Sequence, residues 1–424
     1  MDANDMILLS IDDHLIEPPD MFDGRMPAKL QDQAPQLVKG DDGKDQWIFQ
    51  GEAIGVPGLA AVASWPKEEW GFNPTDISEM RPGCYDMKER VKDMDANGML
   101  AGMNFPTFAG FAGTHLAKMK DQELTAAAIA AYNDWHIDEV CGSAPGRFIP
   151  LAILPTFDMD RCVAEVNRVA KKGCVAVSIP ETPYGVGLPS FASGYFDPMF
   201  KALLDNNITP CMHIGGAFGL VKRPDEAMAD DIIILAPQVM AVTTTDIILG
   251  GLLQRFPELK FALSEGGIGW IPFFLDRLDR HVTNQSWTHL DKLPKGKTPT
   301  EAWREHFLAC FITDPSALNL RERIGVNTLA WECDYPHSDS TWPNSPELLL
   351  KELDDAKCTD DEIHMITWKN VADFFNYDPF KHMSKADATV GALRARAKAA
   401  GVDVSETPKA EFARRYAAAA GASA

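Results

Sequence analysis

The chain has 424 residues, of which 46% are hydrophobic and 24% charged. That balance belongs to a globular protein with enough apolar material for a large core, and it argues against bulk disorder. The formal net charge of −21 argues against nucleic acid and anionic membrane surfaces as partners, because both require clustered Lys and Arg.

The first ten residues carry acidic side chains and have neither a basic segment nor a long apolar run, so they do not read as a signal peptide. No apolar stretch approaches the roughly 20 residues that span a bilayer. The eight cysteines are scattered without a C-x-x-C pair, and several sit in apolar runs, such as Cys174 in GCVAVSI and Cys310 in FLACFI. Buried free thiols in a reducing, cytoplasmic setting are the expectation.

Eight short apolar runs follow one another along the chain. They are 6–12 (MILLSID), 99–107 (MLAGMNFPT), 147–155 (RFIPLAILP), 174–180 (CVAVSIP), 208–216 (ITPCMHIGG), 259–267 (LKFALSEGG), 307–314 (FLACFITD) and 327–337 (NTLAWECDYPH). Each is too continuously apolar for a half-exposed antiparallel strand, which would alternate. Helical patterns lie between them. Residues 158–172 open acidic, close on Lys-Lys and stop at Gly173; 196–207 and 246–256 are further examples.

Strand–helix alternation repeated about eight times predicts an α/β fold, and the count favours a (β/α)8 TIM barrel over a doubly wound sheet. No G-x-G-x-x-G after an early strand supports the doubly wound alternative. The barrel is expected over 1–383. A long insertion after the first strand covers 20–95, with a hairpin in KDQWIFQGEAIG and the loop aromatics Trp65, Trp70 and Phe72. A second long connection covers 215–245, and loops of this length tend to be lids or binding loops. Residues 384–424 read as a helical C-terminal extension, packed on a neighbouring subunit or on the barrel's outside.

Functional side chains of such a barrel stand at the C-terminal ends of different strands. Asp12, Asp13 and His14 end the first run, Asn104 and Thr107 the second, and His213 the fifth. Ser264 and Glu265 end the sixth, and Glu332, Asp334 and His337 the eighth. Histidines with several carboxylates are the donor set of a borderline or hard divalent metal. Residues i and i+2 of a strand point the same way. Asp12 and His14 therefore face one centre, with Asp13 turned outward. Glu332 and Asp334 share that spacing, and one of the two is left to cap the strand.

Simpler readings stand beside these. A single strand-end histidine is more often structural than ligating, so the weight rests on His14 and His213 together. His337 reads equally as a substrate contact and as a loop hydrogen bond. His136 reads as a satisfied helix residue, and His115 as a loop residue near the site. Trp65, Trp70, Phe105, Phe108 and Trp342 either line a pocket for a flat substrate or simply pack.

Longer strings carry a resemblance. SIDDHLIEPPDMF, RVKDMDANGML, NFPT, RFIPLAILP, CMHIGG, GLLQRFPELKFALSEGGIGWIPFFLDRLDR, DYPHSDSTWP and WKNVADFFN occur in that order. Along most of its length the chain resembles the amidohydrolase-related superfamily (amidohydrolase 2), in the branch that holds aminocarboxymuconate-semialdehyde, γ-resorcylate and 5-carboxyvanillate decarboxylases. The resemblance implies that the first-strand ligand pair, usually H-x-H or E-x-H, falls on Asp12 and His14. It places the fifth-strand His ligand on His213 and the eighth-strand Asp ligand on Asp334. One divalent ion per subunit is implied, Zn2+ first and Mn2+ as the alternative. CVAVSIP offers no Lys to carbamylate, so a bridged binuclear site is not implied. Relatives carry a His at the end of the sixth strand, in strings like GHMGE; here the string is SEGGIGW, and Glu265 stands nearest that place.

The same resemblance implies non-oxidative decarboxylation of an aromatic or unsaturated carboxylic acid, with Asp334, Glu265 and His337 as the catalytic candidates. The rival reading is hydrolysis of an amide, ester or lactone by metal-activated water, and a hydratase is a third. The expected partners are a small carboxylic acid and further copies of the chain, as a homodimer or higher homo-oligomer, with no nucleic acid and no membrane.

Overall fold

The computed structural model describes residues 1–422 other than 56, 72, 73, 75, 218–232, 286 and 289–291. Phe72 and the 218–232 part of the expected 215–245 connection therefore lie outside the described residues. The chain forms two compact units. The first comprises Met1–Leu151, Cys333–Leu348 and Asp378–Ala424, and the second Ala152–Glu332 and Leu349–Tyr377.

The first unit contains β1 (Leu9–His14), β2 (Gln36–Lys39), β3 (Asp45–Phe49), β4 (Glu52–Ile54), β5 (Ala101–Phe105) and β6 (Phe148–Ile149). β1, β5 and β6 form a parallel sheet in that order. All of β1 and β5 is buried, as continuous apolar runs require. The insertion folds as a separate antiparallel sheet, β2-β3-β4, and its β3–β4 turn falls within the hairpin string.

One helix of this unit, Met87–Asn97, starts where the Asp86 carboxylate accepts the N–H groups of Lys88 and Glu89, and stops at Gly98 with φ 75°. A Cβ at Gly98 would lie 2.6 Å from Val390 Cγ1. That gap admits the Val390–Ala399 helix of the C-terminal extension, which packs on Met87–Asn97.

The second sheet has six strands. They are β7 (Leu151–Ile153), β8 (Ala176–Ser178), β9 (Thr209–His213), β10 (Phe261–Ser264), β11 (Phe307–Phe311) and β12 (Leu329–Trp331). They lie side by side in chain order, parallel from β8 to β12, and all but Leu151 belong to the second unit. The expected third strand is thus two, β6 and β7, separated by Pro150, which has no N–H to give a ladder. The Met159–Ala170 helix starts at Asp158, whose carboxylate accepts the Arg161 N–H, and it buries Cys162, Val166 and Val169. The helix expected at 246–256 begins earlier, at Gln238, and ends at Leu249; Leu252–Arg255 is a separate turn. Gly251, at φ 86°, breaks the two apart.

The result is a mixed α/β fold built on parallel sheets with helical connections. The eight cysteines are free, and Cys84, Cys162, Cys174, Cys211, Cys310 and Cys333 are buried. Among the described residues, no helix is long and apolar enough to cross a membrane.

Candidate metal centre

At the end of β1, Asp12 and His14 turn to the same side. The His14 Nε2 lies 3.4 Å from an Asp12 carboxylate oxygen and 3.4 Å from Asp334 Oδ1, and all three side chains are fully buried. The register of β1 against β5 shifts between Ser10 and Asp13. Asp13 turns away from the cluster, as its alternation requires, but not to solvent. Its Oδ1 accepts the Tyr335 N–H at 3.1 Å, and a Cβ at Gly102 would lie 2.3 Å from its Oδ2. Burial pushes the Asp13 carboxyl up to about 7, against the pull of the Arg90 guanidinium.

Asp334 does not sit in a strand, since β12 ends at Trp331. The expected i, i+2 pairing of Glu332 with Asp334 therefore has no strand to act through. Asp334 has φ 57°, a left-handed conformation that Asp tolerates better than most residues. Its N–H donates to the Asp12 carbonyl at 2.7 Å, and its carbonyl accepts the His337 N–H at 2.9 Å. The same turn brings His337 Nδ1 to 2.9 Å from Asp334 Oδ1 and stacks its ring on His14, with centroids 4.0 Å apart. One ligand atom from each of His14, Asp334 and His337 lies within 4.8 Å of the others.

His213 and Glu265 belong to the second unit. β9 and β10 are neighbours with Ser264 opposite His213, so the next residue, Glu265, reaches the imidazole. Glu265 Oε2 is 3.2 Å from His213 Nε2. The other ring nitrogen, Nδ1, is 2.5 Å from the Ile214 carbonyl, which can only accept. Nδ1 therefore carries a proton, which leaves Nε2 as the ring nitrogen that faces Glu265. Glu265 has φ 55°, and its N–H donates to Glu332 Oε2 at 3.0 Å. The Cys310 thiol donates to the same Glu332 oxygen.

Two polar residues and one aromatic near these positions are not marked by the strand ends. Glu181 lies one residue past the end of the fourth run. It is buried, accepts the Ala217 N–H at 2.9 Å, and burial pushes its carboxyl up to about 7. Being the first polar residue after CVAVSIP was its only signal. Arg90 is a buried arginine on the Met87–Asn97 helix; it donates to Asn104 Oδ1 at 2.9 Å and to the His14 carbonyl. Phe111, 4.9 Å centroid to centroid from His14, carried no spacing signal.

The weaker candidates make the following local contacts. His136 is buried in a helical segment, and burial lowers its imidazole to about 4. The His115 Nδ1 bonds the Phe108 carbonyl at 3.1 Å. Phe108 packs among Phe22, Trp47 and Tyr132. The indole N–H groups of Trp65, Trp70 and Trp342 go to the backbone carbonyls of Glu79, Trp65 and Asp93. Phe105 stands 6.1 Å from the His14 ring.

The donor set fits a divalent cation. Two fully buried carboxylates within 3.4 Å of one imidazole nitrogen repel each other, and a positive charge among them removes the cost. The oxygen and nitrogen donors suit Zn2+ or Mn2+.

Carboxylates and imidazoles gathered past the ends of parallel strands define an α/β protein with a metal-binding centre. The chain belongs to the amidohydrolase family, whose model matches residues 45–377. Among curated proteins it is similar to a 2-amino-3-carboxymuconate-6-semialdehyde decarboxylase of Dictyostelium discoideum, 22% identical over 317 residues, covering 72% of this chain and 80% of the relative. Among solved structures it resembles an amidohydrolase from Mycobacterium avium subsp. paratuberculosis, with a TM-score of 0.67 at 20% identity, covering 87% of this chain and 99% of that one. It also resembles the 5-carboxyvanillate decarboxylase of Novosphingobium aromaticivorans, determined with manganese and a nitrobenzoic acid, with a TM-score of 0.60 at 16% identity, covering 87% and 96%.

Proposed function

We propose that the chain is a mononuclear, metal-dependent decarboxylase of a small aromatic or unsaturated carboxylic acid, with Asp12, His14, His213 and Asp334 as the ligands. The observation that carries this reading is the buried meeting of Asp12, His14 and Asp334. His213 is added to them as the ligand that the family resemblance implies. The two parallel sheets are read as the parts of one (β/α)8 barrel, which the family membership supports. Decarboxylase activity is supported by the names of the curated relative and the Novosphingobium structure. Zn2+ is the expected ion; Mn2+, which the Novosphingobium enzyme carries, is the alternative.

When bound, the ion supplies a Lewis acid against the substrate's carboxylate and neighbouring oxygen. The chain's own residues do the rest. Glu265, with 23% of its side chain exposed, reaches open space that the fully buried Asp334 does not. It gives its proton to the carbon that bears the carboxylate; the C–C bond then breaks, CO2 leaves, and its electron pair returns to the ring or diene. His337, stacked on His14, holds the same Asp334 oxygen through Nδ1 at 2.9 Å.

The test is CO2 release from a panel of hydroxybenzoates and muconate-like acids, run beside esters, amides and lactones. CO2 from the acids with no turnover of the esters, amides or lactones supports the reading. Turnover of an ester, amide or lactone without CO2 replaces it with the hydrolase.

A further inference from the structure

Tyr335 follows the proposed ligand Asp334 and is almost fully enclosed. Its N–H donates to Asp13 Oδ1 at 3.1 Å, and its carbonyl accepts the His14 N–H at 2.7 Å. The residue that follows Asp334 is thus bonded through both its backbone groups to the end of β1 that carries Asp12 and His14. Its side chain reaches in the other direction. The hydroxyl donates to Asp93 Oδ2 at 2.6 Å, the ring lies 4.4 Å below the Arg90 guanidinium, and it stands edge-on to Trp342 at 5.5 Å.

Asp93 is itself fixed. Arg81 grips it with two parallel hydrogen bonds of 2.8 and 2.7 Å, a geometry that holds a carboxylate in orientation as well as in place. Arg81 also donates to the Asp403 carbonyl at 2.7 Å and lies 4.8 Å over the Trp342 ring. Asp403 belongs to the C-terminal extension. Gly83 closes the space around this junction: a Cβ there would lie 2.0 Å from Asp93 Oδ2 and 2.8 Å from the Tyr335 hydroxyl. Asp334 keeps a left-handed backbone, and such a conformation persists where the surroundings over-determine it. The bond of the Asp334 N–H to the Asp12 carbonyl and the Tyr335 bonds that follow it hold the turn from both sides of its Cα.

We propose that Tyr335, Asp93 and Arg81 are positioning residues that hold Asp334 and His14 in ligating geometry, and that the C-terminal extension completes this network through the Asp403 carbonyl. The inference rests on the metal reading given above. It makes the extension part of the metal centre's support. Groups that orient metal ligands are typically worth about ten- to a hundredfold in metal affinity.

The experiment compares the full chain with Tyr335→Phe and Arg81→Lys, each stripped of metal and titrated with Co2+. Affinity is read by competition with a chelator, ligand geometry by the Co2+ absorption bands, and the metal-free fold by its thermal midpoint. The expected result is a Kd raised about tenfold or more in both variants, with shifted Co2+ bands and a metal-free midpoint close to that of the unaltered chain. Tyr335→Phe keeps the ring and its packing, so it remains a test if Arg81→Lys does not fold. Unchanged affinity and unchanged bands in Tyr335→Phe overturn the proposal. So does weaker binding with unaltered bands and a lowered metal-free midpoint, the pattern of a merely structural role. An unaltered chain that takes up no Co2+ fails the metal reading itself, and this separates the two.

Discussion

Glu332 accepts the backbone N–H of Glu265 at 3.0 Å and the thiol of Cys310, so one buried carboxylate ties the turn after β10 to β11. Glu265 holds φ 55° there and points its carboxylate at His213. Glu332→Ala takes this acceptor from both donors. A lost buried partner costs about 1–3 kcal/mol, and denaturant unfolding should show a loss of that size. Turnover should fall further than stability, because Glu265 is no longer held in its turn. An unchanged kcat at a lowered unfolding midpoint would confine Glu332 to a structural part.

Glu265→Gln keeps size and hydrogen bonding and removes the acid. Proton transfer by a positioned side chain contributes roughly 10²–10⁴-fold, so CO2 release should fall by about that factor. Metal content should stay at one ion per chain, since Glu265 is not among the proposed ligands. Elemental analysis beside the rate assay checks both halves; full activity removes Glu265 from the chemistry.

Chelation should abolish turnover, and adding back Zn2+ or Mn2+ should restore it. The ion also relieves the repulsion of Asp12 and Asp334, and it binds the folded state alone. At a free concentration a hundredfold above Kd it adds about 2.7 kcal/mol, seen as a higher thermal midpoint of the loaded protein. His14→Ala and Asp334→Asn should each lose both the metal and that increment. A midpoint indifferent to metal contradicts the site.

Glu17 should make stability depend on pH. Its two oxygens accept the N–H groups of Thr107 and Phe108, yet burial pushes its carboxyl from the ordinary 4.5 up to about 7. The folded value lies above the unfolded one. Its stabilising contribution is therefore complete below about 4.5 and is lost as pH rises through about 7. The loss is on the order of 3 kcal/mol. Glu17→Gln stays neutral but can serve only one of the two N–H donors with its oxygen. The variant should be the less stable protein at pH 5, and the gap should narrow or reverse by pH 8. A gap independent of pH over that range contradicts the assignment.

Much of this protein was written locally. The apolar runs with helices between them gave the parallel α/β layout, because strand and helix periodicities are properties of short segments. Alternation put Asp12 and His14 on one side of β1 and Asp13 on the other. His213 and Glu265 are legible as neighbours once β9 and β10 are paired. The tertiary structure decided what depends on residues far apart in sequence. Nothing near Asp13 announced that Gly102 and Tyr335 would bury it. Pro150 was visible, but its splitting of one strand into two was not. The left-handed backbone at Asp334 and Glu265 is held by N–H bonds that these residues donate to Asp12 and Glu332, both distant in sequence. The Tyr335–Asp93 bond joins positions 242 residues apart. Sequence determines which side chains can bind a metal; packing between distant segments determines which of them are held where a metal needs them.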